Sequence, residues 1–280
     1  MTDLNALNLP GKVNIVTALS CEARPLIDYY KLKKIGSTSG FNFYSDSDRI
    51  NLVIAGVGRV ASATACGMLF GAQSGQGNST RGWLNIGAAG HGEHPVGTLI
   101  TACKVIEEAT GKTYYPGLIF DYPCLLDALL TVDQPEQEYP PGVAFDMEAS
   151  GFFAAASRFS STELIQVIKV VTDNRETGTI DLKPENVIKL LVSQLESIDS
   201  LIAQLVRQVS AYNTIYSLPV EFNDIAEQVT LTSSLKSQLE KSYRRYYALG
   251  GKDLSGQLRS SKFRSGRDLI SVIDSLSGTR

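Results

Sequence analysis

The chain has 280 residues, of which 43% are hydrophobic and 20% charged, and its formal net charge at pH 7 is -3. This composition excludes a disordered chain and fits one large α/β domain or two smaller ones. No run of about 18 apolar residues occurs, and the opening MTDLNALNLPGKVN lacks the basic end and apolar stretch of a signal peptide. We therefore expect a cytoplasmic protein without a membrane segment.

The cysteines predict reduced thiols, not a disulfide framework. Cys21, Cys66, Cys103 and Cys124 are far apart, show no CxxC spacing and lie mostly in apolar runs. Widely spaced cysteines of this kind are typical of packed thiols in a reducing compartment. This agrees with a cytoplasmic location.

Strand and helix patterns alternate along most of the chain. The first half predicts a strand at VNIVTAL, a helix that begins near Ser20, a strand pair at FNFYSD and INLVIAG, and a helix after GVGR. A strand and glycine loop follow in WLNIGAAGHG, and further strands are predicted at TLITACKVIEEA, LLTVD, GVAFDME and ELIQVIKVVTD. Two more helices are predicted, over Glu148–Phe159 and Pro184–Tyr212. This alternation predicts a three-layer α/β fold, in which helices flank a mixed central sheet. QSGQGNSTRG (Gln73–Gly82) is the one stretch typical of a flexible linker.

Polar or glycine residues follow five of the predicted strands. They are Glu22, the GVG turn (Gly56–Gly58), the GAAG turn (Gly87–Gly90), Asp146 with Glu148, and Asp173. Ligands in α/β sheets collect at the carboxyl ends of strands, where loops and helix N-termini meet. We therefore expect these residues to surround one ligand site.

The four carboxylates each allow two interpretations. Asp146 and Glu148 lie between an apolar strand and an Ala/Phe-rich helix, where a carboxylate is costly unless it bonds to backbone donors or holds a ligand. Asp173 follows a buried strand and is either a proton donor or a turn residue. Glu22 is either a catalytic base or a first-turn helix residue favoured by the dipole.

Two further motifs have weaker signals. GVGR and GAAGHG lack the spacing of dinucleotide- and phosphate-binding loops, although their backbone N–H groups can still approach an anion or a sugar. Arg59 is a candidate phosphate ligand, but exposed arginines at helix starts are common.

The two histidines do not predict a metal site. His91 and His94 lack the HExxH spacing and have no evident third ligand, so we expect loop residues and neither a metal nor a cofactor.

The order of ALSCEA, GVGRVASA, LNIGAAG, a strand opened by GT, FDMEASG and VVTDN resembles the nucleoside phosphorylase/nucleosidase superfamily. The resemblance spans roughly residues 13–205 and is strongest to the 5'-methylthioadenosine/S-adenosylhomocysteine nucleosidases. It implies a nucleosidase that hydrolyses the N-glycosidic bond of a purine-type ribonucleoside.

The resemblance also implies roles for individual residues. Glu148 of the MEA motif would bind the ribose hydroxyls, and Met147 would pack against the sugar. Asp173 would be the general acid toward the purine, and Glu22 would position water. The substrate-binding set that the resemblance and the glycine loops together imply is Gly87, Ala88, Ala89, Met147, Glu148 and Arg59.

Two alternatives to hydrolysis stay open. A phosphorylase would use phosphate, with Arg59 as its ligand, but purine phosphorylases have a GDPxR-like loop where this chain has ALSCE, and an arginine where it has Asn85. A protein that binds nucleosides or nucleic acid without turnover is the other alternative. The chain also departs from the nucleosidases at Ala88, at Lys169 and over Thr131–Gly142. Because superfamily members are commonly oligomers, the resemblance implies a homo-oligomer.

The C-terminal part has a different charge from the rest. Residues 231–280 carry a net charge of +6, which leaves -9 for residues 1–230. We predict a phosphorylase/nucleosidase-like domain over 1–230 and a basic helical extension over 231–280. The extension interleaves tyrosines with arginines and lysines, so nucleic acid is one candidate partner. We favour a solvated helix docked on an acidic surface, because the charge is modest and fits no known nucleic-acid module.

Overall fold

The computed structural model describes residues 7, 9, 11–73, 79–177, 183–216, 218–259 and 261–278. Contacts between residues divide the chain into two compact units, Met1–Ile215 and Tyr216–Arg280. The second unit thus contains the predicted extension and also the residues just before it. Among the described residues, none of the helices has both the length and the apolar character needed to cross a membrane.

Among the described residues of the first unit, ten strands form one mixed sheet. They are β1 (Val13–Thr17), β2 (Lys33–Thr38), β3 (Phe41–Ser45), β4 (Ile50–Ile54), β5 (Gly82–His91), β6 (Leu99–Glu107), β7 (Thr113–Tyr114), β8 (Leu125–Thr131), β9 (Ala144–Asp146) and β10 (Ile165–Asn174). The order is β10-β6-β8-β9-β5-β1-β4-β3-β2, and β10 also pairs with β5. Five strands therefore close into a ring, and the other main strands extend the sheet from β5.

Five α-helices occur among the described residues of this part of the chain, besides a short 3-10 helix at Thr162–Leu164. They are α1 (Ser20–Tyr30), α2 (Arg59–Gln73), α3 (Ala149–Ala156), α4 (Pro184–Ser193) and α5 (Leu195–Tyr216). One apolar cluster joins the sheet to α2 and α3, and a second joins it to α1, α4 and α5. In β1, Ile15 belongs to one cluster and Val16 to the other, as expected when successive side chains of a strand point to opposite faces. The predicted three-layer α/β fold is confirmed.

Local predictions were wrong at two places in the chain, the glycine-rich part of β5 and the helical region after Lys183. The predicted glycine loop Gly87–Gly90 lies inside β5, because β10 pairs along its whole length and β9 pairs with its end. The single helix predicted over Pro184–Tyr212 is two helices, which separate at Gln194, whose side-chain amide donates to the Gly97 carbonyl at 2.9 Å. Residues 74–78 of the predicted linker lie outside the described residues.

Where the structure describes the second unit, it contains four helices, α6 (Val220–Ala226), α7 (Ser233–Ala248), α8 (Leu254–Leu258) and α9 (Gly266–Gly278). They enclose a separate apolar cluster that includes Phe222, Leu239, Tyr243, Tyr246 and Ile273. Tyr243 and Tyr246 are 4% and 2% exposed, so their rings belong to the core. These two rings are therefore unavailable to stack on nucleic-acid bases.

Candidate active site

A cavity of about 240 Å³ lies at the carboxyl ends of the strands in the first unit. Its walls come from the last residues of β5, β9 and β10, from residues that follow β1, β4, β8 and β9, and from the first turns of the helix that begins at Pro184. Among the residues predicted from the sequence, the lining includes Glu22, Ala88, Ala89, Gly90, Asp146, Met147, Glu148 and Asp173. The expected clustering of strand-terminal polar residues is therefore observed.

Glu22 lies in the first turn of α1 and is 3% exposed. One carboxylate oxygen accepts the backbone N–H groups of Ala18 and Leu19 at 2.9 and 2.8 Å, and the other accepts that of Ala88 at 2.8 Å. These bonds fasten the start of α1 to β5 and fix the carboxylate at the cavity wall. Glu22 is thus both the helix-start residue and the cavity carboxylate that the sequence allowed.

The Glu22 carboxylate explains why residue 87 is a glycine. A Cβ atom at this position would lie 2.6 Å from the Glu22 Oε1 atom, a distance that requires the carboxylate to move. Gly87 itself is absent from the cavity lining. Its effect on the cavity therefore comes through the placement of Glu22.

Asp146 lines the cavity and is also bound firmly to the surrounding structure. It accepts the Thr131 hydroxyl at 2.7 Å and the Ala149 backbone N–H at 2.8 Å, at the N-terminus of α3. Its Oδ2 atom also lies 2.9 Å from the Nζ atom of Lys169, which is 1% exposed. Burial opposes the charge of Lys169, but Asp146, Glu148 and Glu22 outweigh it and raise the pKa of the ammonium group.

Glu148 has fewer partners than its neighbour. One oxygen accepts the Gly58 backbone N–H at 2.8 Å, and the other lies 3.8 Å from the Lys169 Nζ atom. Burial, with smaller contributions from Asp146 and Glu22, raises the pKa of Glu148 to about 7, although Lys169 and the Gly58 amide oppose the shift. This carboxylate therefore retains acceptor capacity that faces the cavity.

Asp173 reaches the cavity through an irregularity in β10. Val171 pairs with Ala89 and Asp173 with Gly90, so Thr172 is an extra residue, as in a β-bulge. The Thr172 hydroxyl donates to the Asp173 Oδ1 atom at 2.7 Å. Bulges often redirect side chains at functional sites, and here the bulge places Asp173 in the wall.

Tyr139 is a cavity residue that the sequence analysis missed. Its phenol donates to the Asp173 Oδ2 atom at 2.5 Å, and its ring is buried although its segment is mostly exposed. Its backbone has φ of 46°, a left-handed conformation that is uncommon outside glycine. A lone aromatic before Pro140 and Pro141 in a polar stretch was the available signal.

Arg59 does not line the cavity. Its guanidinium bonds to both oxygens of Asp133 at 2.8 and 2.9 Å and also to Glu107. These carboxylates raise the pKa of Arg59, Asp133 being the largest cause. A role for Arg59 in binding phosphate stays a prediction, and it would require this pairing to rearrange.

The two histidines come together with a third polar side chain, which the sequence did not reveal. His91 ends β5, so it is not a loop residue as predicted, and its Nε2 atom lies 3.0 Å from the Asp127 Oδ2 atom; that of His94 lies 3.1 Å from the same oxygen. These three side chains have the ligand types of a metal site. However, the His91 Nδ1 atom accepts the backbone N–H groups of Glu93 and His94, each at 2.9 Å.

These bonds determine which nitrogen of His91 carries its proton. A neutral imidazole whose Nδ1 atom accepts hydrogen bonds has its proton on Nε2. The Nε2 atom then donates to Asp127 and has no lone pair for a metal. Burial, and to a lesser extent His94, lowers the pKa of His91 and so favours this neutral form. His91, His94 and Asp127 therefore form a hydrogen-bonded cluster that stabilises the end of β5.

No family model and no curated protein matches the sequence. Solved structures do match. A 5'-methylthioadenosine/S-adenosylhomocysteine nucleosidase from S. pneumoniae, with a transition-state inhibitor, is 19% identical, with a TM-score of 0.52 over 69% of this chain and 98% of that one. The corresponding enzyme from Colwellia psychrerythraea 34H, in complex with adenine, is 17% identical, with a TM-score of 0.53 over 72% and 96%.

A plant protein gives the same result. The 5'-methylthioadenosine nucleosidase from Arabidopsis thaliana is 16% identical, with a TM-score of 0.53 over 72% of this chain and 97% of that one. This chain therefore has the nucleoside phosphorylase/nucleosidase fold, as the sequence motifs predicted. At these identities the likeness concerns the fold.

Proposed function

We propose that this protein is a nucleosidase that hydrolyses the N-glycosidic bond of a purine-type ribonucleoside. The observation that carries the proposal is the placement of Glu22, Glu148 and Asp173 around one cavity in this fold. Support also comes from the similar enzyme of Colwellia psychrerythraea 34H, whose structure contains adenine. Each of the three carboxylates has a separate task in the proposed reaction.

Glu148 would bind the ribose. Its cavity-facing acceptor capacity suits the two hydroxyls of a vicinal diol, because bonds to an ionised acceptor are strong. The same negative charge would stabilise the positive charge that develops on the sugar as the glycosidic bond breaks. Gly58 and Lys169 hold the carboxylate in place from the protein side.

Asp173 and Glu22 would handle the protons. Asp173 would donate a proton to a ring nitrogen of the purine, which takes the electron pair of the breaking C–N bond and leaves as a neutral base. Water would attack the anomeric carbon, and Glu22 would accept the proton that this water loses. The backbone bonds to Glu22 would keep it correctly placed for that step.

The charges around the cavity favour water over phosphate as the nucleophile. No lysine or arginine occurs among the described residues that line the cavity. Lys169 pairs with Asp146 and Glu148, and Arg59 with Asp133 and Glu107. A phosphate dianion would therefore meet carboxylates without a free cation, which is unfavourable.

The first test is release of the free base. The purified protein should release base from at least one of methylthioadenosine, adenosine and inosine in phosphate-free buffer, with uridine as the pyrimidine comparison and chromatography as the readout. Strict dependence on phosphate would instead indicate a phosphorylase. Binding of a nucleoside without base release would indicate a binding protein.

Asp173→Asn tests the acid directly. We expect base release to fall by at least about a hundredfold, because the amide cannot supply the proton. Asp199→Asn is the matched control, since Asp199 accepts the Tyr30 hydroxyl at 2.8 Å and does not line the cavity. Turnover near the wild-type rate in Asp173→Asn would exclude the assigned role.

A further inference from the structure

Tyr139 stands out among the cavity residues because the proposed mechanism leaves it without a task. Over residues 133–142 it is the one buried residue. Three contacts hold it: its phenol bonds to Asp173, its carbonyl accepts an Arg175 N–H at 2.9 Å, and its ring lies against Gly90. A solvent-exposed segment is thus fastened to the cavity at the residue that meets the proposed acid.

Glycines at and just after the end of β5 leave room for this arrangement. A Cβ atom at Gly90 would lie 2.9 Å from the Asp173 Oδ2 atom and 3.0 Å from the Tyr139 Cε1 atom. A Cβ atom at Gly92 would lie 2.5 Å from the Tyr139 carbonyl oxygen. The GAAGHG stretch therefore accommodates the tyrosine and the acid as one packed pair.

The hydrogen bonds of Asp173 change in strength as it reacts. Tyr139 donates to one of its oxygens and Thr172 to the other. A hydrogen bond to a carboxylate is roughly twice as strong as one to a neutral acceptor. As Asp173 passes its proton to the base, negative charge grows on these oxygens, so both bonds strengthen in the transition state. Interactions that are stronger there than in the ground state raise the rate.

We propose that Tyr139 is a positioning residue for this reaction, whose phenol stabilises the carboxylate that Asp173 becomes when it gives up its proton. This inference rests on the proposed function and assigns a role to a segment, Thr131–Gly142, that departs from the nucleosidase pattern. Tyr139 keeps its own proton throughout. The proton that moves to the base is that of Asp173.

Tyr139→Phe removes only the hydroxyl and keeps the ring between Gly90 and Asp173. We expect kcat for base release to fall about tenfold while KM changes less than twofold, because the lost bond matters most in the transition state. Tyr30→Phe is the matched control, since it removes another phenol that donates to an aspartate, at 2.8 Å, outside the cavity. It should leave both constants unchanged.

Two kinetic results would overturn the proposal. A lower KM with unchanged or higher kcat would show that the phenol obstructs the ligand. Unchanged kcat with a lower midpoint of urea unfolding would show that the hydroxyl only stabilises the fold.

A double-mutant cycle tests the pair in the ligand-free protein, without catalysis. Tyr139→Phe, Asp173→Ala and the double variant are unfolded in urea and followed by the fluorescence of Trp83, the only tryptophan and a residue of β5. We expect the double variant to lose less stability than the two single losses added together. Additive losses would overturn the proposal. Coupling in a protein that releases no base would instead place the failure in the proposed function.

Discussion

The two units of the chain treat charged side chains differently. In the part of the first unit that the structure describes, five charged residues are at most 6% exposed, and these are Glu22, Asp146, Glu148, Lys169 and Asp173. Among the described residues of the second unit, the buried polar residues are Ser242 and Ser277, both uncharged. Burying charge is expensive, so its concentration around one cavity indicates a functional site. The uncharged interior of the second unit is instead typical of a structural module.

Two glutamates show this contrast at the level of single residues. Glu148 is buried with one backbone donor and a distant lysine, and its pKa is raised to about 7, chiefly by burial. For Glu221 in α6, burial also raises the pKa, but bonds from Ser255, Tyr247 and Tyr243 outweigh it and lower the pKa overall. A carboxylate with many donors stabilises its fold, whereas one with few donors remains available to a ligand.

The largest effect is expected from Lys169→Met. Removing the ammonium group leaves Asp146 and Glu148 buried without a cation. The free energy of unfolding of the first unit should fall by about 3–5 kcal/mol, as measured for other buried ion pairs that lose one partner. Urea unfolding followed by Trp83 fluorescence measures this change.

Lys33→Met provides the matched control, because Lys33 is an exposed lysine in β2 of the same unit. Its unfolding midpoint should match that of the wild type. If Lys169→Met also leaves the midpoint unchanged, the buried charges are not coupled as the structure indicates, and the contrast between the units loses its main support.

The pH dependence of ligand binding is the next largest effect. Because the pKa of Glu148 is raised to about 7, its carboxylate is lost as the pH falls below that value. Affinity for adenosine should then decline by up to about tenfold per pH unit, since the protonated group binds the ribose diol less strongly. Adenine, which lacks the ribose, should show a weaker dependence, and Glu148→Gln should remove the difference. Calorimetric titrations at about pH 5 to about pH 8, roughly two units below to one unit above that pKa, would measure the affinity for both ligands. They use the Asp173→Asn variant, with and without Glu148→Gln, so that adenosine is not hydrolysed during the titration.

Protonation of Glu148 should affect the free energy of unfolding in the opposite direction to ligand affinity. The folded carboxyl of Glu148 binds a proton more tightly than the unfolded one, whose reference value is 4.5. Its contribution to the free energy of unfolding therefore rises as the pH falls from about 7 to 4.5. Comparing Trp83 unfolding of the wild type and Glu148→Gln over this range isolates the contribution. An identical pH dependence in both proteins would contradict the shift.

The smallest effect is expected from Glu221→Gln in the second unit. The amide has one acceptor oxygen in place of two, so bonds from Ser255, Tyr243 and Tyr247 cannot all persist. The second unit should lose about 1–3 kcal/mol, seen as faster amide hydrogen exchange in α7. Glu227→Gln, an exposed position just after α6, is the control.

The charge of Glu221 gives this effect a pH dependence. Because the pKa of Glu221 is lowered in the folded state, the ionised group adds to the free energy of unfolding at pH values above the pKa of the unfolded state. This contribution is lost as the pH falls through the lower pKa of the folded state. The difference between wild type and Glu221→Gln should therefore shrink in acid. Base release should be unaffected, and a loss of activity in Glu221→Gln would contradict the separation of site and module.

Local patterns in the sequence predicted many of the elements. VNIVTAL and INLVIAG are short β-branched runs, and both are buried strands in the structure. The break at Gln194 was not predicted, because it involves a bond to the distant Gly97 carbonyl. The glycine-rich part of β5 was predicted as a loop because glycine favours turns, but pairing with β10 overrides that preference.

The residues of the candidate site also divide into those that the sequence predicted and those that it missed. Glu22, Glu148 and Asp173 were found because each was predicted to follow a strand, and the ends of neighbouring strands converge. In the structure Asp173 lies within the last residues of β10. Tyr139 was missed because it lies 34 residues before its partner Asp173, in a segment without a strand or helix pattern. Asp127 was missed as the partner of the histidines for a similar reason, since it lies 36 residues after His91.

The sequence by itself determined the alternation of strands and helices and the carboxylates at strand ends, because hydrophobic periodicity and turn chemistry act over a few neighbouring residues. Only the tertiary structure decided which charges pair. Lys169 pairs with Asp146 and Glu148, two carboxylates that line the cavity, and Tyr139 bonds to Asp173 in the cavity wall. Burial and hydrogen-bond partners depend on segments far apart in the chain, and they set the proton affinities on which the proposed chemistry relies.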